Sequence, residues 1–152
     1  MSKIKTKIFV AICFVFLMGI TSFGQELTNE IAVTIKSANI HRLEKLISQG
    51  SVNACLSIPK GKKYGYLAMS IKLKSMRSLQ FFVQNGADVE LVCADKTPLM
   101  YAAKYGQLEM VKYLLEQGAD PNVFYRGKRA FNYARQYHHF AIAKYLKTQR
   151  LN

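Results

Sequence analysis

The chain has 152 residues, half of them hydrophobic and a fifth charged, the balance of one soluble globular domain with room for a real core. At this length one domain is the expectation. Its 22 Lys+Arg against 9 Asp+Glu give a formal net charge of +13, so the expected partners are anionic.

Lys3, Lys5 and Lys7 precede an uncharged run from Ile8 to Ile20, and Ser22-Phe23-Gly24 follows. A basic segment, an apolar stretch and a small-x-small site predict a secretory signal peptide over residues 1–24, cut after Gly24. The competing reading is a membrane anchor, but a spanning helix needs about 20 apolar residues, and this run is shorter. Cys13 follows Ile12 inside the apolar run, which does not suit lipid attachment. The mature chain, 25–152, is expected in the periplasm or outside the cell, and it stays basic. Export disfavours nucleic acid as partner and favours acidic proteins, envelope polymers or lipid headgroups. The membrane would be met only through an uncleaved signal segment, and a monomer is expected.

From Asn29 onward the chain repeats itself. The first copy, Asn29 to Asn53, carries Ile31, Leu43, Leu46, Ile47 and Gly50. The second, Gly65 to Glu90, carries Leu67, Leu79, Phe82 and Val83 and ends in "NGADVE". The third, Thr97 to Asn122, reads "TPLMYAAKYGQLEMVKYLLEQGADPN"; the fourth, Arg129 to Gln149, carries Phe131, Tyr133, Ala134 and Leu146. Gly65, Thr97 and Arg129 are separated by a constant step of 32. The loop from Asn53 to Gly65 is five residues longer than that from Glu90 to Thr97. It reads as a tolerated surface insertion or as a basic finger presenting Lys60, Lys62 and Lys63.

Each copy predicts a helix–turn–helix followed by a loop. Thr97 suits a helix N-cap, with Pro98 where its missing N–H is not needed. Leu99, Ala102 and Ala103 form an apolar, partly small face, and Gly106 ends that helix. Leu108, Val111, Leu114 and Leu115 recur at helical spacing, and Gly118 closes the second helix. The segment from Ala119 to Lys128 can turn back as a hairpin at Gly127. Cys55 and Cys93 both fall in loops, one unit apart. An oxidising compartment permits a bridge, but a Cα separation beyond ~7 Å would forbid it. Two free thiols are the expectation.

With "TPLM", "AAKYG" and "LLEQGAD" at a period near 33, the chain resembles the ankyrin repeat family, from Asn29 to about Gln149. Met100 stands where that family's histidine is usual. Lys74 and His138 stand at the glycine between the paired helices, and Gly65-Tyr66 and Arg129-Ala130 replace Thr-Pro. The resemblance implies an all-α solenoid of about four helix–turn–helix repeats with short hairpin loops. It also implies a non-catalytic protein-binding role for the concave face.

The residues themselves offer little chemistry. Asp88 and Asp120 occupy one position of successive repeats and are expected to close turns. His138 and His139 point apart from a helix end, which argues against a metal. No serine sits in a nucleophile turn and no glycine-rich phosphate loop occurs, so no cofactor is expected. By register, the open face carries Tyr64, Lys96 and Lys128 before each repeat. Lys72-Leu73, Lys104-Tyr105 and Gln136-Tyr137 stand near the ends of its first helices. These nine residues are the candidate partner-binding strip, with Tyr101 and Tyr133 half-buried beneath it. The alternatives are an accessory or antidote role towards a toxin or enzyme, and an anionic-ligand module using Lys60, Lys62, Lys63, Lys72, Lys96, Lys104 and Lys128.

Overall fold

The computed structural model describes residues 29–58 and 61–149. The signal-peptide reading and Lys60 lie outside them. Among the described residues the chain forms helix pairs α1 (29–37) with α2 (Ile40–Ser48), α3 (Tyr66–Lys72) with α4 (Met76–Gln84), α5 (Pro98–Lys104) with α6 (Leu108–Glu116), and α7 (Ala130–Gln136) with α8 (Phe140–Gln149). A two-stranded antiparallel hairpin, β1 (Leu56–Ile58) and β2 (Lys62–Tyr64), separates the first two pairs and aligns Leu56 with Tyr64. Among the described residues, that longer loop thus carries a paired hairpin.

Local chemistry explains the helix ends. The Thr97 hydroxyl accepts the Met100 N–H at 3.3 Å, with Pro98 at the first turn, and Asn39 caps Arg42 N–H at 3.1 Å in α2. Arg129 cannot cap by its side chain, so Asn132 Oδ1 accepts the Arg129 N–H at 2.9 Å instead. Between paired helices the backbone turns left-handed at Ala38, Lys74, Gly106 and His138, with φ of 51°, 58°, 72° and 61°. The position expected to want glycine therefore keeps its geometry when the residue changes.

The first helices stack in order, α3 on α5 and α5 on α7. Ala68, Ala102, Ala103 and Ala134 are buried there, and small side chains let helix axes approach closely. The second helices contribute Leu43, Leu79, Phe82, Val111, Leu114 and Leu146, all at most 1% exposed. Each pair buries its apolar face only against its neighbours, as a stacked-repeat core requires.

The loops are cross-linked from one repeat to the next. Asn53 Oδ1 accepts the Asp88 N–H at 2.7 Å, and Glu90 Oε1 accepts the Asp120 N–H at 2.8 Å. Asp88 and Asp120 close turns, as expected, accepting the Glu90 and Asn122 N–H at 2.8 and 2.7 Å. The expectation of free thiols is corrected: Cys55 and Cys93 are disulfide-bonded, with a Cα separation of 5.4 Å. Adjacent loops lie side by side, and Asn53 draws the first across to Asp88. A spacing of one repeat along the chain is therefore a short distance in space.

Candidate interaction surface

The hairpin-side face is built by the ends of α3, α5 and α7 and by the loops that precede them. Lysines and tyrosines alternate across it. Lys72 Nζ lies 4.8 Å from the Tyr64 ring centre, and Lys104 Nζ lies 5.6 and 5.2 Å from those of Tyr105 and Tyr137. Lys128 Nζ lies 5.6 Å from the Tyr133 ring and donates to Gln136 Oε1 at 2.7 Å. The rings also meet: Tyr64 and Tyr101 at 5.6 Å, Tyr101 and Tyr105 stacked at 6.2 Å. Each ammonium over a ring face gains about 0.5–1 kcal/mol at an exposed site, which holds flexible lysines in extended poses.

Of the nine residues placed here by register, seven reach the surface. Lys72, Gln136 and Tyr137 are exposed, while Leu73, Lys104, Tyr105 and Lys128 are half-buried. Tyr64 and Lys96 correct the expectation, because both are buried, at 6% and 8% exposure. Tyr64 closes the base of the hairpin against Tyr101. Lys96 is tucked between the rings of Tyr101 and Tyr133, at 5.6 and 5.3 Å, and pairs with Asp95. Both stand in the loops before their repeats, as register expects, but their side chains turn inward. Tyr101 and Tyr133, expected half-buried, are buried.

Asp95 and Arg126 are the residues that repeat reasoning missed. Asp95 Oδ1 accepts the Tyr101 hydroxyl at 3.3 Å while the other oxygen meets Lys96. Burial alone would raise the Asp95 carboxyl, but the Lys96 ammonium and the Tyr101 hydroxyl hold it below the usual carboxylate range. Burial, and then the Asp95 charge, push the Tyr101 phenol above its ordinary value. Burial raises Tyr105 as well, followed by its neighbours Tyr64 and Tyr137. Arg126 stands at the tip of the tight turn bridged by Tyr125 and Lys128, beside Gly127, with φ of 48° and 76°. Two positive-φ central residues make this the expected hairpin turn. A signal for Arg126 existed, since its turn repeats the position of the basic finger two repeats on.

Three successive loops converge here on a cavity of about 330 Å³. Lys62 and Lys63 come from β2, Asp95 and Lys96 from the loop before α5, Lys104 from α5 and Arg126 from the last turn. Tyr64 and Tyr101 supply its aromatic wall. Five cations face one carboxylate, so the cavity is electropositive. Among the described residues no group of three His, Cys, Asp or Glu is placed to hold a metal ion. His139, instead, lies against Gly106 with Nε2 at 3.1 Å from Lys104 O.

A family model described as ankyrin repeats (3 copies) matches residues 66–152, from the start of α3 onward. A search of curated proteins finds no match.

Proposed function

The chain belongs to the ankyrin repeat family, and we propose that it is an exported, non-catalytic module that binds an acidic protein through its concave, hairpin-side face. Ankyrin repeats are in general protein-interaction modules. The observation that carries the finer reading is the lysine–tyrosine ladder across three repeats, Lys72 over Tyr64 and Lys104 between Tyr105 and Tyr137. Tyrosines give rigid contact area at low entropic cost, and lysines steer an acidic surface into register. The net charge acts in the same direction, since removing Lys3, Lys5 and Lys7 with the signal peptide still leaves +13 − 3 = +10.

Export is supported by the basic-apolar-small pattern of residues 1–24 and by the Cys55–Cys93 bond, a pairing that persists in oxidising compartments. Mass measurement of the chain recovered from cells, and from the periplasmic or medium fraction, tests it. An intact Met1–Gly24 on cytoplasmic protein would remove this part.

For binding, the chain immobilised as bait should retain an acidic protein. Tyr105→Ala with Tyr137→Ala should release that protein while thermal unfolding stays cooperative. Retention unchanged by the double replacement would overturn the placement on this face.

A further inference from the structure

The electropositive cavity has more cations than its own chain answers. Among the described residues the ion pairs are Lys96 with Asp95 and Lys112 with Glu109. Lys62, Lys63, Lys104 and Arg126 therefore line the cavity outside ion-pair distance of a carboxylate, although Arg126 adds to the field that keeps Asp95 ionised. Like charges gathered on one concavity repel, and a bound anion relieves that repulsion.

We propose that this cavity seats the side-chain carboxylate of an acidic anchor residue in the protein bound along the face. The inference rests on the reading of that face as a protein-binding surface. Asp95 shows the chemistry the cavity wall accepts, a carboxylate between a phenol hydroxyl and an ammonium. The volume, about 330 Å³, suits a side chain or two and excludes a folded element. Beyond the mouth the face continues as Tyr105 and Tyr137, planar area that residues flanking the anchor would cover and a free phosphate would leave bare. The walls are fixed in advance. The Cys55–Cys93 bond ties the entry of β1 to the loop leading into Asp95 and Lys96, and Tyr64 packs on Tyr101 across the cavity base. Preorganised donors lose little freedom on binding.

The test uses the mature, oxidised full chain and a hexaglutamate peptide at low salt, with hexaglutamine as control, read by backbone amide shifts and calorimetry. Hexaglutamate should shift Lys62 to Tyr64, Asp95, Lys96 and Arg126, and hexaglutamine should not. Lys62→Glu with Lys63→Glu should weaken hexaglutamate at least tenfold. Lys144→Glu with Lys147→Glu on α8, which changes net charge equally, should weaken it less than twofold. Equal losses from the two pairs, shifts confined to another face, or tighter binding of inorganic tripolyphosphate at the same residues would overturn the proposal. A protein partner released by the Tyr105 and Tyr137 replacements but not displaced by hexaglutamate would also overturn it, leaving the interaction reading intact. Hexaglutamate seated in the cavity of a chain that retains no protein would remove the interaction reading and keep the carboxylate site.

Discussion

His139 lies flat against Gly106, so close that a Cβ built at Gly106 would stand 2.6 Å from the imidazole Cε1. The ring is held there by Nε2 at 3.1 Å from Lys104 O. Gly106 also has φ of 72°, a conformation that costs a residue with a Cβ about 1–2 kcal/mol. Gly106→Ala therefore meets both backbone strain and a hydrogen-bonded ring, and should destabilise by about 2–3 kcal/mol in urea unfolding. In a His139→Ala background the steric part disappears, and the same change should cost only the strain, about 1–2 kcal/mol. Additive costs in the double-mutant cycle would show that the contact carries no energy.

Lys74 makes the opposite prediction. It occupies the same turn position one repeat earlier, exposed, with φ of 58°. Glycine relieves the left-handed strain but loosens the unfolded chain, which takes back about 0.4–1 kcal/mol. Lys74→Gly should therefore raise stability by about 0.5–1 kcal/mol. A lowered melting temperature would mean that the lysine stem contributes packing there.

The repeats were legible because stacking repeats the same demand at every unit: a leucine beneath, an alanine between, a left-handed turn after the first helix. Gly106 announces that demand, and Lys74 and His138 satisfy it without the letter that signals it. The strip was legible only to the backbone. Register cannot tell Lys72, whose stem runs outward, from Lys96, which is drawn inward by Asp95 and by two rings. Nor could it bring Cys55 to Cys93, because their contact joins different positions of neighbouring loops. Asp95 carries no periodic signal, having no counterpart in the other loops.

The disulfide should carry a large share of the stability of the first repeat. It closes a segment with a sequence separation of 38, and a loop of this order stabilises by about 2–4 kcal/mol through the unfolded chain. Cys55→Ser with Cys93→Ser should lower unfolding free energy by that amount. Hydrogen exchange should rise most in β1, β2 and α2, next to Cys55 and far from the better-packed third repeat. Loss spread evenly over all four helix pairs would indicate a single cooperative unit in place of a local clamp.

The Asp95–Tyr101 pair predicts how stability responds to pH at both ends. Asp95 is held below its ordinary value in the folded chain, so the unfolded chain binds the proton first as pH falls. Its contribution is present above the unfolded value, about 3.9, and is lost as pH drops through the folded value. Asp95→Asn should flatten that acid limb. Tyr101 is raised, so above about pH 10 the unfolded chain ionises while the folded chain keeps its proton, and stability falls as pH rises further. Tyr101→Phe should delay alkaline unfolding and remove the latest-titrating phenolate from the ultraviolet titration. The two limbs are separable, because Tyr101→Phe leaves Lys96 on Asp95 and should keep most of the acid limb. An acid limb lost with Tyr101→Phe would mean that the hydroxyl, at 3.3 Å, outweighs the ammonium in holding Asp95 ionised.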